Sequence, residues 1–308
     1  MIDVQRLRVL RAVAEHGSFN RAAGALLLTP SAVSQHIAAL ERTLGHPVAV
    51  RSTRGVTLTE SGRLLVEAAD TISAELDRVR HDIDRLTAPR PRLTVATFTS
   101  GGRHLLPEAL KRFVAAHPEV ELTVCESEPE EAAPMVRAGA ADLALSYHFD
   151  GPPPVGAGER PGLDWVPLME DPLWLVLPRG HRLAGRSSLS PAELGGDRWV
   201  LGCLKTEAFL RRYAELAGFG LRVGASTTDY FFAQTLVSAG VGVSLVPQVS
   251  LAPTAEVVVV PVEPPRPARH IGVLLPRRRR PHPHAKALAE ALSASADAAA
   301  AGGQGARP

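Results

Sequence analysis

Apolar residues recur at helical spacing three times within the first 58 residues, and each recurrence lies between residues that start and stop helices. The core-facing positions of the first two helices are Leu7, Leu10, Val13, Phe19, Ala22, Ala23 and Leu26. Asp3 can cap the first helix and Gly17 can end it, while Ser18 can cap the second. A third helix begins with Thr29 as a hydroxyl cap and proline at the first helical position, and it stops at Gly45. Three short helices with tight connections predict a helix-turn-helix.

The third helix separates into an apolar stripe and an opposite polar face when its residues are placed at 100° intervals. The stripe consists of Val33, Ile37, Leu40 and Leu44. The opposite face is centred on Ser31, Gln35, Ala38 and Arg42, with Ser34 and Ala39 on its flanks. Small side chains let a helix enter the major groove, where Gln35 can form a bidentate pair with adenine. A solvated face of an ordinary surface helix shows the same pattern, so the neighbouring segments decide between the two interpretations.

A short β-hairpin, or wing, is predicted directly after the third helix. Val48 and Val50 are typical of a strand, Thr53–Gly55 of a turn, and Val56–Leu58 of a returning strand. Arg51 and Arg54 fall near the tip, where guanidinium groups suit contact with phosphates or a narrow minor groove. Residues 1–58 hold seven arginines against three acidic residues, which is the electrostatic footprint expected of a surface that meets nucleic acid.

These segments together resemble the LysR-type transcriptional regulator family. The resemblance is carried by Phe19–Ala23 (FNRAA), Thr29–Ile37 (TPSAVSQHI), Leu40-Glu41, Gly45 and Arg54–Gly62 (RGVTLTESG). The chain departs from the family where Ala49-Val50 replaces the usual Leu-Phe and where Gln35 replaces a commonly basic residue. The resemblance implies that Ser18–Ile37 is the helix-turn-helix proper. With the exposed face and the wing, the predicted DNA-contacting residues are Ser18, Asn20, Arg21, Thr29, Pro30, Ser31, Ala32, Ser34, Gln35, His36, Ala38, Arg51 and Arg54.

A single long helix is predicted over residues 59–88. It ends there because the sequence APRPR, which begins at residue 88, contains prolines that cannot continue a helix. Its apolar positions are Leu65, Ala69, Ile72, Leu76, Val79, Ile83 and Leu86, separated by alternating steps of four and three. A stripe this narrow is typical of a coiled-coil seam and predicts a homodimer. The alternative is an amphipathic helix that packs on its own domain. The family resemblance likewise implies dimer contact through this helix, with assembly of dimers into tetramers.

Residues 92–295 alternate β-branched runs with helical stretches, which indicates an α/β domain. Strands are predicted over Leu93–Phe98, Val120–Cys125 and Asp142–Ser146, with a helix over Pro107–Ala116, and this order implies a parallel sheet. Thr99-Ser100 follows the first strand, at the edge of the sheet where ligands bind, and its hydroxyl and backbone N–H groups could hold a carboxylate. An ordinary strand-to-helix turn is the alternative interpretation of this segment.

A second α/β subdomain is predicted from Trp174–Leu177, Trp199–Leu201, Glu207–Ala217 and the Phe232–Pro247 segment. His270–Leu275 then returns the chain, and a final helix covers about 283–294. The family resemblance implies a two-lobed fold like that of periplasmic solute-binding proteins, with lobe I at 92–162 and 268–295 and lobe II at 163–267. It further implies an effector cleft between the lobes. The residues expected to line it are Thr99, Ser100, Ser127, Gly202, Cys203, Thr228 and Val246.

Composition excludes several other classes of protein. The two cysteines, Cys125 and Cys203, lack the paired spacing of a disulfide framework or a zinc site. Some members of the family sense peroxide through cysteines, so a redox switch is one interpretation of Cys203. With no second cysteine nearby in sequence, a buried thiol is the interpretation that we adopt. His282 and His284 lack companion ligands in the nearby sequence, so neither a metal nor a cofactor is expected. No apolar run is long enough for a membrane span, which favours a cytoplasmic protein. The Ala/Gly-rich residues 296–308 are expected to be disordered.

The sequence therefore predicts a three-part protein: a mostly α winged helix-turn-helix domain at 1–58, a linker helix at 59–88 and a two-lobed α/β effector domain at 92–295. The predicted function is a sequence-specific transcription regulator whose partners are double-stranded DNA and a small-molecule effector such as an organic acid. A solute-binding protein is the alternative. An α/β enzyme is a third class, for which the sequence offers no nucleophile, base and orienting group together.

Overall fold

The computed structural model describes residues 2–52, 55–149, 162–203, 207–252, 254–264, 266–277 and 282–303, with side chains to residue 297. Thr53 and Arg54 of the predicted wing lie outside these residues, as do residues 150–161 and 278–281. The chain divides into two compact units, Met1–Leu86 and Thr87–Pro308.

The first unit contains four helices and one hairpin within its described residues. They are α1 (Val4–His16), α2 (Phe19–Leu26), α3 (Pro30–Leu44), β1 (Ala49–Ser52), β2 (Gly55–Leu58) and α4 (Glu60–Leu86). Asp3 accepts hydrogen bonds from two backbone N–H groups of α1, and Thr29 Oγ1 accepts one from the N–H of Ala32 in α3. Gly17 and Gly45 end α1 and α3 with φ angles of 60° and 74°. The predicted caps are confirmed except at Ser18, whose side chain makes no capping bond.

One apolar core holds this unit together. Its buried residues include Leu10 of α1, Ala22 of α2, Val33 and Leu40 of α3, and Val48 before the wing. The axes of α2 and α3 differ in direction by 106°, which is the angular range of a helix-turn-helix. The wing strands β1 and β2 pair antiparallel, from Ala49 opposite Leu58 to Ser52 opposite Gly55. The hairpin and the three helices therefore form the predicted winged helix-turn-helix.

Gly62 fixes the approach of α4 to the segment that precedes the wing. A Cβ atom at this buried position would overlap the backbone carbonyl oxygen of Val48, whereas a Cβ at Gly24 in α2 would meet nothing within 4 Å. We expect Gly62→Ala to lower the free energy of unfolding by about 2–3 kcal/mol, because the backbone must move to relieve the overlap. Gly24→Ala, as the matched control, should raise it by about 0.5–1 kcal/mol because alanine has the higher helix propensity. Urea denaturation of both variants tests the pair, and equal effects would contradict the described packing.

The long helix α4 is continuous over its 27 residues, and its apolar stripe divides into two parts. Leu65 and Val66 pack against the core of the winged helix-turn-helix, which we call the head, and Ala69 is buried. Farther along, Leu76, Val79, Ile83 and Leu86 are 56%, 43%, 57% and 85% exposed. The alternative of packing on the helix's own domain is therefore correct for the first part, while the second part leaves an apolar surface uncovered.

The second unit is built on a mixed sheet that continues through two lobes. Its elements are β3 (Arg92–Thr97), α5 (Thr99–His104), α6 (Leu106–Ala116), β4 (Glu121–Glu126), α7 (Pro129–Ala138), β5 (Leu143–His148), β6 (Leu163–Pro178), β7 (Arg198–Leu201), α8 (Glu207–Leu216), β8 (Arg222–Ser226), α9 (Tyr230–Ser238), β9 (Ser244–Pro247), β10 (Val257–Pro261), β11 (Ala268–Pro276) and α10 (Pro283–Gly303). In lobe I the strand order is β4-β3-β5-β11-β6. Strand β3 runs parallel to β4 and β5, as the sequence predicts, and β11 runs antiparallel to β5 and β6.

Strand β6 connects the two lobes and corrects the predicted boundary between them. Its first part, Leu163–Pro172, pairs with β11 in lobe I, so lobe II does not begin at residue 163. Its second part, Leu173–Pro178, pairs with β9 and β10 of lobe II. The sequence predicted a strand only over 174–177, because prolines at 167 and 172 interrupt the β-branched pattern that signals a strand.

The C-terminal helix also differs from the expectation. Disorder was expected from residue 296 because the segment has little to bury, but α10 continues to Gly303. Alanine has the highest intrinsic helix propensity, so the alanine-rich segment continues a helix that Leu288 and Leu292 have already anchored in lobe I. Among the described residues, no single helix is long and apolar enough to cross a membrane, although α2 and α3 pass that test as a sharply bent pair.

Candidate functional site

The outward face of α3 is the first candidate site. Val33, Ile37 and Leu40 are at most 4% exposed and anchor the helix from behind. Ser31, Gln35 and Arg42 on the opposite face are exposed, and Ala38 is half-buried. Among the other residues predicted to contact DNA, Asn20, Arg21, Thr29 and Pro30 are exposed, and Ser18, Ala32, Ser34 and His36 are half-buried. The sequence-based division of α3 into a buried stripe and an accessible face is confirmed.

Arg51 of the wing contacts the helix-turn-helix directly. Its Nη2 donates a hydrogen bond of 2.9 Å to Ser34 Oγ in α3, and its guanidinium carbon lies 3.8 Å from the centroid of the Phe19 ring in α2. Thr29 Oγ1 and Ser31 Oγ lie 3.0 Å apart at the start of α3. The two contacts of Arg51 therefore link the wing to both α2 and α3.

The second candidate site is the cleft between the lobes, and its centre is Arg269 on β11. This side chain is 1% exposed. Its Nε donates to Asp171 Oδ2 at 2.7 Å and its Nη2 donates to Ser100 Oγ at 2.9 Å. Burial is the largest single influence on the pKa of Arg269 and lowers it, but the charge and hydrogen bond of Asp171 together with Tyr230 and Tyr147 outweigh burial, so the net effect is a raised pKa. The guanidinium is therefore charged, and it joins residues distant in sequence.

Three aromatic rings surround this guanidinium. Its carbon lies 5.0 Å from the ring centroids of Phe98 and Tyr147 and 5.9 Å from that of Tyr230. Gly202 allows this arrangement, because a Cβ atom there would overlap the Tyr230 ring. A buried cation enclosed by π faces and paired with a carboxylate forms a rigid polar centre inside the domain.

The cleft holds four of the seven residues expected to line it. Its lining consists of Phe98, Thr99, Ser100, Glu128, Tyr147, Cys203, Thr228, Asp229, Tyr230, Phe231 and Arg269. Ser127, Gly202 and Val246 do not line this cavity. Ser127 is buried beyond the end of β4, Gly202 supports the Tyr230 ring from behind, and Val246 lies in the core of lobe II.

In this structure the cleft is closed, and the protein's own carboxylates occupy its hydroxyl donors. Thr99 Oγ1 donates to Glu126 at 2.6 Å, and the Tyr147 hydroxyl donates to Glu128 at 2.9 Å. The remaining cavity measures about 20 Å³, which is enough for roughly one water molecule. An organic acid could therefore enter only by moving the lobes or by replacing these carboxylates.

Cys203 lies in the closed cleft, with its Sγ 4.0 Å from the Tyr147 hydroxyl oxygen, and it is 7% exposed. Cys125 in β4 donates a hydrogen bond to the carbonyl of Val95, and burial raises the pKa of its thiol. The interpretation of Cys203 as a buried thiol is confirmed.

A larger cavity lies elsewhere in the same unit. It measures about 570 Å³, within the range of small-molecule sites. The stacked rings of Phe149 and Phe209 form part of its wall, with centroids 4.1 Å apart, and Glu170, Glu263 and His270 add polar groups. No local sequence signal marks this cavity, because its lining comes from five separate segments.

A DNA-binding head with a winged helix-turn-helix and a two-lobed domain with an interlobe cleft define a class of ligand-responsive DNA-binding proteins. Comparison with protein families agrees with this class. Residues 4–63 match the model "Bacterial regulatory helix-turn-helix protein, lysR family", and residues 87–297 match "LysR substrate binding domain". The chain belongs to the LysR family of bacterial transcription regulators, as the sequence predicted.

Several characterised proteins resemble the chain over most of its length. The DNA-binding transcriptional dual regulator OxyR of Escherichia coli K12 is 27% identical over 290 residues, covering 89% of each chain. The transcriptional dual regulator GltC of Bacillus subtilis 168 is 29% identical over 286 residues, covering 90% of this chain and 92% of GltC. Full-length BenM has a TM-score of 0.58 at 19% identity, covering 98% of each chain. CbnR in complex with its target DNA has a TM-score of 0.52 at 22% identity, covering 96% and 100%.

Proposed function

We propose that this chain binds a specific operator sequence through α3 and the wing, and that a small molecule bound in the interlobe cleft controls this binding. The observation that carries the proposal is the anchored helix α3, which offers Ser31, Gln35 and Arg42 outward above a fully apolar stripe. The structure of CbnR with target DNA and the family assignment support it. The proposal includes a cytoplasmic location and no catalytic role.

Selection of bound duplexes from random DNA by the full-length protein tests this function. We expect enrichment of one sequence pattern, and a gel shift in which the enriched duplex binds about 10³-fold or more tightly than a scrambled one. Binding that depends only on salt and not on sequence would contradict the proposal.

The exposed part of α4 supports a homodimer. Two copies of Leu76, Val79, Ile83 and Leu86 could cover one another as a coiled-coil seam, and two heads could then engage two half-sites. Assembly of dimers into tetramers follows from the family resemblance and is part of the proposal.

Charge placed in this seam should separate the protomers. We expect the Leu76→Asp/Ile83→Asp variant to become monomeric at micromolar concentration, because each protomer would bring two carboxylates into an apolar interface. Light scattering after size-exclusion chromatography measures the mass. Ala74→Asp, on the opposite side of the same helix, is the control and should remain an oligomer. A mass that is unchanged in the double variant would place the dimer contact elsewhere.

For the effector, we propose a small organic acid whose carboxylate takes the place of Glu126 or Glu128 at the cleft donors. Thr99, Ser100 and Tyr147 supply hydroxyl groups, and Arg269 supplies a buried positive charge. A ligand that prefers one lobe arrangement shifts the population of that arrangement and, by linkage, the affinity for DNA. The 570 Å³ cavity is the second candidate pocket because it already has the necessary size.

A thermal-shift screen of small organic acids can distinguish the two pockets. Any stabilising acid is then tested on Thr99→Val, in the cleft, and on Phe209→Ala, in the larger cavity. Loss of the shift in the first variant alone supports the cleft, and loss in the second alone assigns the effector to the larger cavity.

A further inference from the structure

Two histidines and a glutamate meet where α6 ends and α10 begins in lobe I. His117 is the C-terminal cap of α6, Glu119 follows it by two residues, and His284 lies in the first turn of α10. None of the three lines the interlobe cleft or the larger cavity. The sequence offered no companion ligands for His284 because they lie more than 160 residues earlier in the chain.

The geometry of this cluster suits one metal ion. The imidazole rings of His117 and His284 have centroids 5.0 Å apart, and His117 Nδ1 lies 3.7 Å from Glu119 Oε1. One ligand-capable atom from each of the three residues falls within 4.8 Å of the others. Tetrahedral zinc with bonds of about 2.0–2.1 Å places its ligand atoms about 3.3 Å apart, so modest side-chain rotation completes the site.

The surroundings support the same assignment. The Phe113 ring, whose centroid is 4.9 Å from that of His117 and 6.3 Å from that of His284, forms an apolar wall behind the cluster. His117 and His284 are half-buried and Glu119 is exposed, so the ligands are partly held by packing and an ion can still reach them. Imidazole and carboxylate ligands together favour zinc and similar transition metals over calcium or magnesium, which take oxygen ligands.

We propose that His117, Glu119 and His284 bind a divalent transition-metal ion, with zinc as the reference case. Three protein ligands leave one coordination position for water. The ion would link α6 to α10, two helices that already share the apolar core of Phe113, Ala285 and Leu288. Bound metal would therefore stabilise lobe I and would tie the C-terminal helix to it.

The test is titration of the full-length protein with ZnCl2 by calorimetry after treatment with EDTA. We expect one ion per chain in this cluster and a higher melting temperature with zinc. His117→Ala and His284→Ala should each weaken this binding at least about tenfold. His46→Ala, which removes an exposed histidine of the head, is the matched control and should bind as the parent does.

The visible absorption of bound Co²⁺ provides a second measurement, because it reports the ligands of the ion and does not respond to a change in protein stability alone. Co²⁺ bound by the parent should show the intense visible absorption of a tetrahedral site, and His284→Ala should lose it. Melting of the metal-free variants checks that they remain folded. The proposal would be overturned if the parent showed no saturable zinc binding, or if the folded His117→Ala and His284→Ala variants bound zinc as tightly as the parent does. Neither outcome affects the DNA-binding function, which rests on other residues.

Discussion

Replacing Gln35 with glutamate should strongly weaken sequence-specific DNA binding and leave the fold intact. The side chain is exposed on α3, so the free energy of unfolding should change by no more than about 0.5 kcal/mol. The amide of Gln35 can both donate to and accept from adenine, whereas a carboxylate only accepts and is repelled by the phosphates. We expect a loss of about 1–3 kcal/mol of discrimination for each half-site, measured by gel shift on the selected duplex and its scrambled counterpart.

The chain offers a matched control for this prediction. Gln5 is exposed at the start of α1, so Gln5→Glu adds the same charge to the same domain without touching α3. If the control reduces binding as strongly as Gln35→Glu does, the effect is general electrostatic repulsion and α3 does not read the sequence. A parent-like affinity and specificity in Gln35→Glu would equally contradict the assignment of α3.

The largest stability effect is expected at the buried ion pair of the cleft. Arg269→Met should lower the free energy of unfolding by about 3–5 kcal/mol, because it leaves Asp171, which is fully buried, without its guanidinium partner. Asp171→Asn should also be destabilising, since the buried Arg269 then loses its counter-ion. Urea denaturation of the full-length protein measures both effects.

The double variant Arg269→Met/Asp171→Asn separates stability from function. It removes both charges, and the asparagine oxygen can still accept the hydrogen bond that Asp171 Oδ1 receives from the N–H of Val249. We expect it to recover about 2 kcal/mol or more relative to Arg269→Met, with a favourable coupling between the two sites. Additive losses would show that the pair does not act as a unit. If Arg269 serves the effector, the double variant should remain folded and bind DNA without responding to the acid.

Local signals were sufficient to predict the head from the sequence. Asp3, Thr29, Gly17 and Gly45 act on backbone groups within four residues of themselves, so their effect is visible in a short stretch of sequence. The heptad spacing of α4 is visible for the same reason. The heptad spacing could not show at which residue the apolar stripe stops packing against its own domain, because that point depends on the core contributed by α1 and the wing.

The centre of the cleft could not be predicted, because its partners are distant in sequence. Arg269 is 98 residues from Asp171 and 169 from Ser100. Seen locally, Arg269 is one arginine before an apolar strand, and Asp171 lies in a proline-containing segment with no strand signal. Only the antiparallel register of β11 and β6 places the two opposite each other. For the same reason, the sequence did not indicate that His117 and Glu119 lie near His284.

Hydroxyl-radical footprinting of the full-length protein on its selected duplex tests the central claim most directly. We predict two protected segments centred about one helical turn, or a whole number of turns, apart on one side of the DNA, with both protections lost in Gln35→Glu. Uniform protection along the duplex, or a footprint that the variant preserves, would contradict DNA recognition by α3.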